Sequence, residues 1–140
     1  MKLADDQARR RLAAARVARL ATVGGPGSPH LVPVTFAVAG DRIYTAVDAK
    51  PKTTRDLRRL RNIRANPRVA VLADHYDEDW SRLWWARADG RAAILDAAGD
   101  TAGPIALLAE RYPQYRRCPP AGPVICVLVD RWAGWAASDG

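Results

Sequence analysis

An alternation of apolar and polar positions with a period of two runs through most of the chain and predicts β-strands. The alternation is clearest in the run HLVPVTFAV, residues 30–38, where every second side chain would share one face of a strand. The side chains on that face are His30, Val32, Val34, Phe36 and Val38. The same pattern predicts six strands, over residues 19–24, 30–38, 42–47, 68–76, 83–95 and 124–132.

Helical spacing of apolar residues predicts three helices: residues 3–18, a short basic segment near the middle of the chain, and residues 101–113. The connections between strands are mostly short, which favours antiparallel pairing and a small barrel over a parallel sheet. No linker or internal repeat divides the sequence. The chain is therefore predicted to form a single domain over residues 1–140, mainly β with flanking helices.

The short basic helix is predicted to begin at Thr53 or Thr54, whose hydroxyl can cap it, and to end before Pro67. Its apolar residues fall on one side of a helical wheel and would hold it against the barrel. These residues are Leu57, Leu60 and Ile63, and the opposite side carries Arg55, Arg58, Arg59 and Asn62.

The positive charge of the protein is concentrated in the same segment. The 140 residues include 22 Lys or Arg and 15 Asp or Glu, a formal net charge of +7. Residues 50–68 hold eight of the basic side chains and a single acidic one, Asp56, so the rest of the chain is balanced at fourteen of each. A charge run of this kind indicates either a solvated basic face or an anion-binding site.

A turn from a strand into a helix is well suited to hold a phosphate, because the free N–H groups of the helix and basic side chains converge there. The residues at this turn are Lys50, Lys52, Thr53, Thr54 and Arg55. Nucleic acid is the alternative anion, given a sequence pI of about 10.1. The segment is one short helix between strands, without interleaved aromatic residues, so we expect no nucleic-acid binding.

Several classes of protein are disfavoured by what the sequence lacks. It has no P-loop, no dinucleotide-binding glycine motif and no zinc motif, and His30 and His75 lie on separate strands. We therefore expect no metal site. The two cysteines are too few for a disulfide framework, and no apolar run is long enough for a membrane span or a secretory signal. We expect a cytoplasmic protein that does not associate with membranes.

Tryptophans and one proline mark surfaces where something other than a neighbouring strand could lie. Trp84 and Trp85 are adjacent, so they face opposite sides of their strand, and one of them faces away from the core or into a contact. Pro33 interrupts a strong strand pattern and cannot donate a hydrogen bond to a ladder. A bound ring could occupy the space beside it.

The chain resembles the split β-barrel oxidoreductases related to pyridoxamine 5′-phosphate oxidase, the PPOX class. More narrowly, it resembles the branch that uses the deazaflavin coenzyme F420. The resemblance covers residues 17 to 139 and lies in the runs G-x-P-H-L-V-P-V-x-F, I-Y-T-A-V-D-A-K-P-K-T-T-R, N-P-R-V-x-V-L-x-D-H-Y-D-x-D-W and D-R-W-x-G-W-A-A-S-D. It implies a six-stranded antiparallel split β-barrel of the FMN-binding type.

The resemblance also implies where a cofactor binds. Members of the family are homodimers that hold the cofactor in a groove between the subunits. The ring lies along the backbone that here is Val32, Pro33 and Val34, close to the strand residues Thr45, Ala46 and Val47.

The phosphate and tail of the cofactor are implied to lie on the basic segment. The turn from Lys50 to Arg55 holds the phosphate, with Lys52, Thr53 and Thr54 as the main contacts. An oligoglutamate tail adds carboxylates that suit Arg55, Arg58 and Arg59, whereas FMN has no group there. Trp85 and Arg87 are implied to contribute to the cofactor site from the partner subunit.

The implied function is an F420-dependent oxidoreductase that transfers a hydride between C5 of the reduced deazaflavin and an unknown small organic substrate. Relatives with the same barrel bind FMN or haem, and the phosphate-binding residues alone do not distinguish FMN from a deazaflavin. An FMN-dependent oxidase or reductase and a non-catalytic flavin- or deazaflavin-binding protein therefore remain as alternatives. The resemblance assigns no catalytic acid or base to this sequence.

Overall fold

A computed structural model describes residues 1–47 and 57–138 of the chain. The helices in these ranges are α1 (Asp5–Ala14), α2 (Arg58–Ala65), α3 (Ala98–Arg111) and α4 (Pro113–Arg117), with a short 3-10 helix at Trp80–Arg82. The strands are β1 (Ala18–Val23), β2 (Pro29–Val34), β3 (Ala37–Ala39), β4 (Arg42–Ala46), β5 (Arg68–His75), β6 (Trp84–Leu95) and β7 (Val124–Ala136).

The described strands form one antiparallel sheet in the order β2-β1-β5-β6-β7-β4-β3. The two edge strands, β2 and β3, are consecutive in sequence and are separated by Thr35 and Phe36 alone. From Val34 to Ala37 the chain can span at most about 11 Å. The sheet must therefore curl until its two edges come close together, although they do not pair, which gives a split barrel.

The prediction of a mainly β fold with flanking helices is confirmed, but the prediction of six strands is wrong. In the described residues the sheet has seven strands, because the strand predicted at residues 30–38 is two strands at opposite edges of the sheet. The backbone N–H of Phe36 is bonded to the hydroxyl of Tyr112, at 3.1 Å, and not to a neighbouring strand. The alternation of apolar residues continues through the break, so the pattern could not reveal it.

The helix boundaries also differ from the predicted ones. The first helix ends at Ala14, because the chain must already be extended at Ala18 to pair with Val34 of β2. The third helix covers residues 98–111 and is followed by α4, a short helix that begins at Pro113 and was not predicted. Proline suits the first turn of a helix, where its missing N–H costs nothing.

The interior of the barrel is filled by large side chains from several strands facing small ones from β6. Phe36, Leu20 and Ile43 are almost fully buried, and β6 presents Ala86 and Ala88 to them. The other large hydrophobic side chains that are fully buried are Leu12, Leu60, Leu108, Ile125, Val71, Val124 and Val127.

A β-bulge between β6 and β7 changes which face the β7 side chains occupy. Asp89 pairs with Arg131 whereas Gly90 pairs with Val129, so β7 holds one extra residue, Asp130, at this point. Val127 faces the interior before the bulge and Trp132 faces it afterwards. A Cβ added at Gly90 would overlap the backbone carbonyl of Leu128.

We expect Gly90→Ala to lower the free energy of unfolding by about 1–3 kcal/mol, because the β7 backbone must move to accept the methyl group. Chemical denaturation monitored by tryptophan fluorescence would measure the change. Gly99→Ala is the matched control, since a Cβ at Gly99 meets no atom within 4 Å. Equal stability of the two variants would contradict the close approach of the strands at the bulge.

Candidate functional site

A cavity of about 380 Å³ opens where the two edges of the sheet approach each other. It is lined by backbone and side chains from β2, the crossover, β4, α2 and α4, together with Val17 before β1. The lining residues are Val17, Pro33, Val34, Thr35, Thr45, Ala46, Val47, Leu57, Arg59 and Tyr115. Most of these side chains are apolar, and the polar ones are hydroxyls and one guanidinium.

The cavity brings together the two strand segments predicted to lie beside a cofactor ring. Pro33 and Val34 form one wall, and residues 45–47 form the wall across from it. The wall at Val47 is held by a hydrogen bond from its backbone N–H to the carbonyl of Pro123, at 2.9 Å. A Cβ at Gly122 would lie 2.6 Å from the carbonyl oxygen of Val47, so only glycine permits this approach of the chain.

Val32 differs from the other residues of the predicted ring site. Its side chain is half-buried and packs against the main core, and it does not line the cavity. Val32 and Val34 share the inner face of β2, but only Val34, at the end of the strand, reaches the cavity. Contact between a ring and the backbone of Val32 stays a prediction.

The crossover between the edge strands is fixed by the end of α3. Tyr112 is buried, and its hydroxyl lies 3.1 Å from both the N–H and the carbonyl oxygen of Phe36. The guanidinium of Arg111 donates to the carbonyl of Phe36 at 2.8 Å and to that of Ala15 at 2.6 Å. These bonds satisfy backbone groups that a continuous strand would have paired with a neighbour. The position of the crossover is thereby set by side chains from α3.

A pair of hydroxyls lies on the wall of the cavity at this crossover. The Thr35 Oγ1 and Tyr115 Oη atoms are 2.8 Å apart and share a hydrogen bond in which either can be the donor. Sequence reasoning missed both residues. Their separation of eighty positions gives no local signal, and Tyr115 belongs to α4, which was not predicted.

The N-terminus of α2 lies later in the chain than predicted. Leu57 is extended, with φ −65° and ψ 143°, and the helix begins at Arg58 without a side-chain cap. The prediction of a helix start at Thr53 or Thr54 is therefore wrong, since an extended residue follows both. The predicted phosphate-binding residues Lys50, Lys52, Thr53, Thr54 and Arg55 lie outside the described residues.

The apolar side of α2 is as predicted, but one residue on its other side is not. Leu60 and Ile63 are buried in the main core. Asn62, which the helical wheel placed among the arginines, is also buried and donates from Nδ2 to the Thr22 hydroxyl at 2.9 Å. An eight-residue helix lying across β1 has a wider buried side than three apolar residues suggest. Buried polar groups of this kind need a partner, and here each provides one for the other.

Positive charge is brought to the cavity by the first turn of α2. Arg59 lines the cavity, and Arg58 beside it is exposed. Their field also reaches His30 on β2: burial lowers the pKa of the His30 imidazole, and the charges of Arg58 and Arg59 lower it further. This rim of the cavity thus favours anions and disfavours a second cation.

Trp85 and Arg87 lie on the outer face of β6, away from the cavity of their own chain. The guanidinium of Arg87 lies 5.5 Å from the centre of the Trp85 ring and makes two hydrogen bonds to the Asp89 carboxylate, at 2.7 and 3.1 Å. A contribution from these two residues to a site is possible only through another subunit. That part of the expectation stays a prediction.

Among the described residues, no three or more His, Cys, Asp and Glu side chains gather in a group that could hold a metal ion. In residues 1–47 and 57–138, every helix is too short or too polar to span a bilayer.

The sequence matches the family model of pyridoxamine 5′-phosphate oxidase over residues 4–136, and the chain belongs to this family. The fold is shared with solved proteins at low sequence identity. A conserved hypothetical protein from Mycobacterium tuberculosis is 22% identical with a TM-score of 0.77, over 96% of this chain and 86% of that one. An FAD-binding protein from Mesorhizobium loti is 22% identical with a TM-score of 0.75, over 96% and 95%.

One curated relative carries an activity in its name. It is the 5a,11a-dehydrotetracycline/5a,11a-dehydrooxytetracycline reductase of Streptomyces rimosus, 42% identical over 59 residues. The match covers 40% of this chain and 38% of the relative. The chain therefore matches well under half of this relative's length, and the activity in the name is that of the relative.

Proposed function

We propose that the protein is an oxidoreductase that uses the deazaflavin F420 to transfer a hydride to or from a small organic substrate. The observation that carries the proposal is the cavity between the sheet edges, where Pro33 and Val34 face residues 45–47 and Arg59 supplies a positive charge. The family and the reductase from Streptomyces rimosus support the oxidoreductase class.

The walls of the cavity fit a planar aromatic ring. Pro33, Val34 and Ala46 offer apolar surface, and the backbone beside Ala46 can form hydrogen bonds at the ring edge. When bound, the reduced deazaflavin supplies a hydride. The chain's own part is to hold the ring, exclude water from one face and leave the other open to a substrate.

The arginines of α2 favour a cofactor with a polyanionic tail. The first turn of the helix carries Arg58, Arg59 and Arg61. One phosphate requires far less positive charge than this, whereas an oligoglutamate tail would bring several carboxylates past the first turn. Phosphate binding by Lys50 to Arg55 is part of the same proposal.

FMN is the second candidate cofactor, and a specific observation favours it. One of the structural neighbours is an FAD-binding protein, so the fold accommodates flavins elsewhere. FMN would occupy the same cavity and use the same phosphate contacts. It would leave the arginines of α2 without a ligand, which is the basis for a test.

Substitution of both Arg58 and Arg59 by Gln should weaken binding of the deazaflavin by about tenfold or more, because charge-assisted bonds to the tail are lost. Binding of FMN should change much less. Titration of the purified protein with each cofactor, followed by cofactor fluorescence, measures both affinities. Arg64→Gln, on the last turn of the same helix and outside the cavity, is the control.

Two outcomes would contradict the choice of cofactor. One is a wild-type protein that binds FMN and not the deazaflavin. The other is an equal loss for both cofactors in the double variant, which would assign the arginines to a shared phosphate and not to a tail.

The protein is further proposed to act as a homodimer in the cytoplasm, with the cofactor between two subunits. Leu31, Leu72 and Trp135 are 65%, 36% and 38% exposed on the outer face of the sheet. The strand register places them on the same face as Trp85 and Arg87. A second copy packed on this face would cover the apolar residues and carry that pair toward its partner's cavity.

Leu72→Arg tests this interface. Leu72 lies between Arg19 and Arg87 in the strand register, so the variant places three cations in a row and should convert the dimer to a monomer. Light scattering after gel filtration reports the mass. Tyr76→Arg, an exposed position beyond the end of β5, should leave the dimer intact. A monomeric wild-type protein, or a dimeric Leu72→Arg variant, would contradict the proposed interface.

A further inference from the structure

A basic depression of about 540 Å³ lies between residues 1–3, helix α1 and the residue that follows the end of β7. Its lining contains three basic side chains, Lys2, Arg10 and Arg11, and none of the described residues in the lining is acidic. It shares no lining residue with the cavity between the sheet edges. The volume is in the range of small-molecule sites, and the positive charge attracts anions.

Two of the three cations in the depression have no acidic partner in the described part of the chain. Arg10 lies 3.5 Å from the Asp6 carboxylate, in an ion pair between two exposed side chains. Lys2 and Arg11 take part in no ion pair with the residues that the structure describes. Their charges are therefore left to be compensated by solvent ions or by a ligand.

Arg11 is half-buried and is held in place without the use of its N–H groups. Its guanidinium lies 5.5 Å from the centre of the Trp84 ring, and that ring stacks on His75 at 6.4 Å. A cation–π contact of this kind positions the guanidinium and leaves its fork of donors for a carboxylate or phosphate. Gln7 adds a neutral donor, because its side-chain oxygen already accepts from the N–H of Ala4 at 2.8 Å.

The backbone that carries Lys2 is fixed by pairing with β7. Lys2 forms an antiparallel bridge with Trp135, and the N–H of Leu3 donates to the carbonyl of Gly134 at 3.0 Å. A ligand in the depression would therefore have to order the lysine side chain alone. Pre-organised backbone lowers the entropic cost of binding.

We propose that the basic depression is a binding site for a small multivalent anion with phosphate or carboxylate groups, in which Arg11 makes the bidentate contact. Lys2 and Arg10 supply further positive charge. An anion with several charged groups can meet more than one of these cations at once, so it gains more from the site than a monovalent anion does. The depression is separate from the cavity assigned to the deazaflavin, so the proposal does not depend on the choice of cofactor.

The test is a titration of the purified protein with sodium tripolyphosphate, and in parallel with sodium citrate, followed by ¹⁵N NMR. The indole N–H signal of Trp84 is the reporter, because the Arg11 guanidinium lies over this ring, and Trp84→Phe assigns the signal. Trp132 is the internal reference, since its indole donates to Asp41 at 3.0 Å and does not line the depression. A site-resolved signal separates this binding from binding of anions at α2.

We expect at least one of the two anions to shift the Trp84 signal with a dissociation constant below about 1 mM and to leave the Trp132 signal unchanged. The anion that binds more tightly identifies phosphate or carboxylate as the preferred group. Arg11→Gln combined with Lys2→Gln should weaken this binding by about tenfold or more, because the two cations without an acidic partner are lost.

Arg9→Gln combined with Arg64→Gln is the charge-matched control, because both residues lie outside the lining of the depression. This control should bind like the wild type, and an unchanged Trp132 signal in each variant reports an intact fold. Absence of a saturable Trp84 shift with both anions would overturn the proposal. An equal loss of affinity in the two double variants would also overturn it, since the anion would then respond to net charge and not to this site.

Discussion

The structure depends on one topological constraint, a crossover of two residues that joins opposite edges of the sheet. Thr35 and Phe36 must carry the chain from β2 to β3, so the described strands curl until the edges nearly meet. The edges cannot pair there, and the N–H and carbonyl of Phe36 would be left unsatisfied in the interior. Arg111, the last residue of α3, and Tyr112, which follows it, bond to these groups. Buried backbone groups without a partner are costly, and this clamp removes that cost.

The same constraint creates the cavity and determines what surrounds it. An unpaired gap between two edges leaves backbone and apolar side chains facing open space, and α2 and α4 border the gap. One helix contributes Arg59 and the other contributes Tyr115. Charge and hydroxyl donors thus reach the cavity from different helices and from different sides.

The sequence predicted the parts of this arrangement that depend on local pattern. The strands β2 and β4 follow from that pattern, whereas the assignment of Pro33, Val34 and residues 45–47 to one site came from the resemblance to the PPOX class. These five residues line the same cavity. The break in the strand at Thr35 could not be predicted, because Phe36 after the break still lies on the inner face and the apolar alternation continues. Asn62 was misplaced, since its partner Thr22 is forty residues away and a helical wheel contains no information on neighbours. The position of Tyr115 on the cavity wall could not be predicted, because it depends on a helix that packs at the crossover.

The central claim is that a deazaflavin ring lies in the gap between the sheet edges. A crystal structure of the protein with the oxidised cofactor would test it most directly. The account predicts the ring between Pro33–Val34 and residues 45–47, with its tail along the first turn of α2. A ring bound elsewhere, for example in the basic depression that includes Lys2, Arg10 and Arg11, would contradict it.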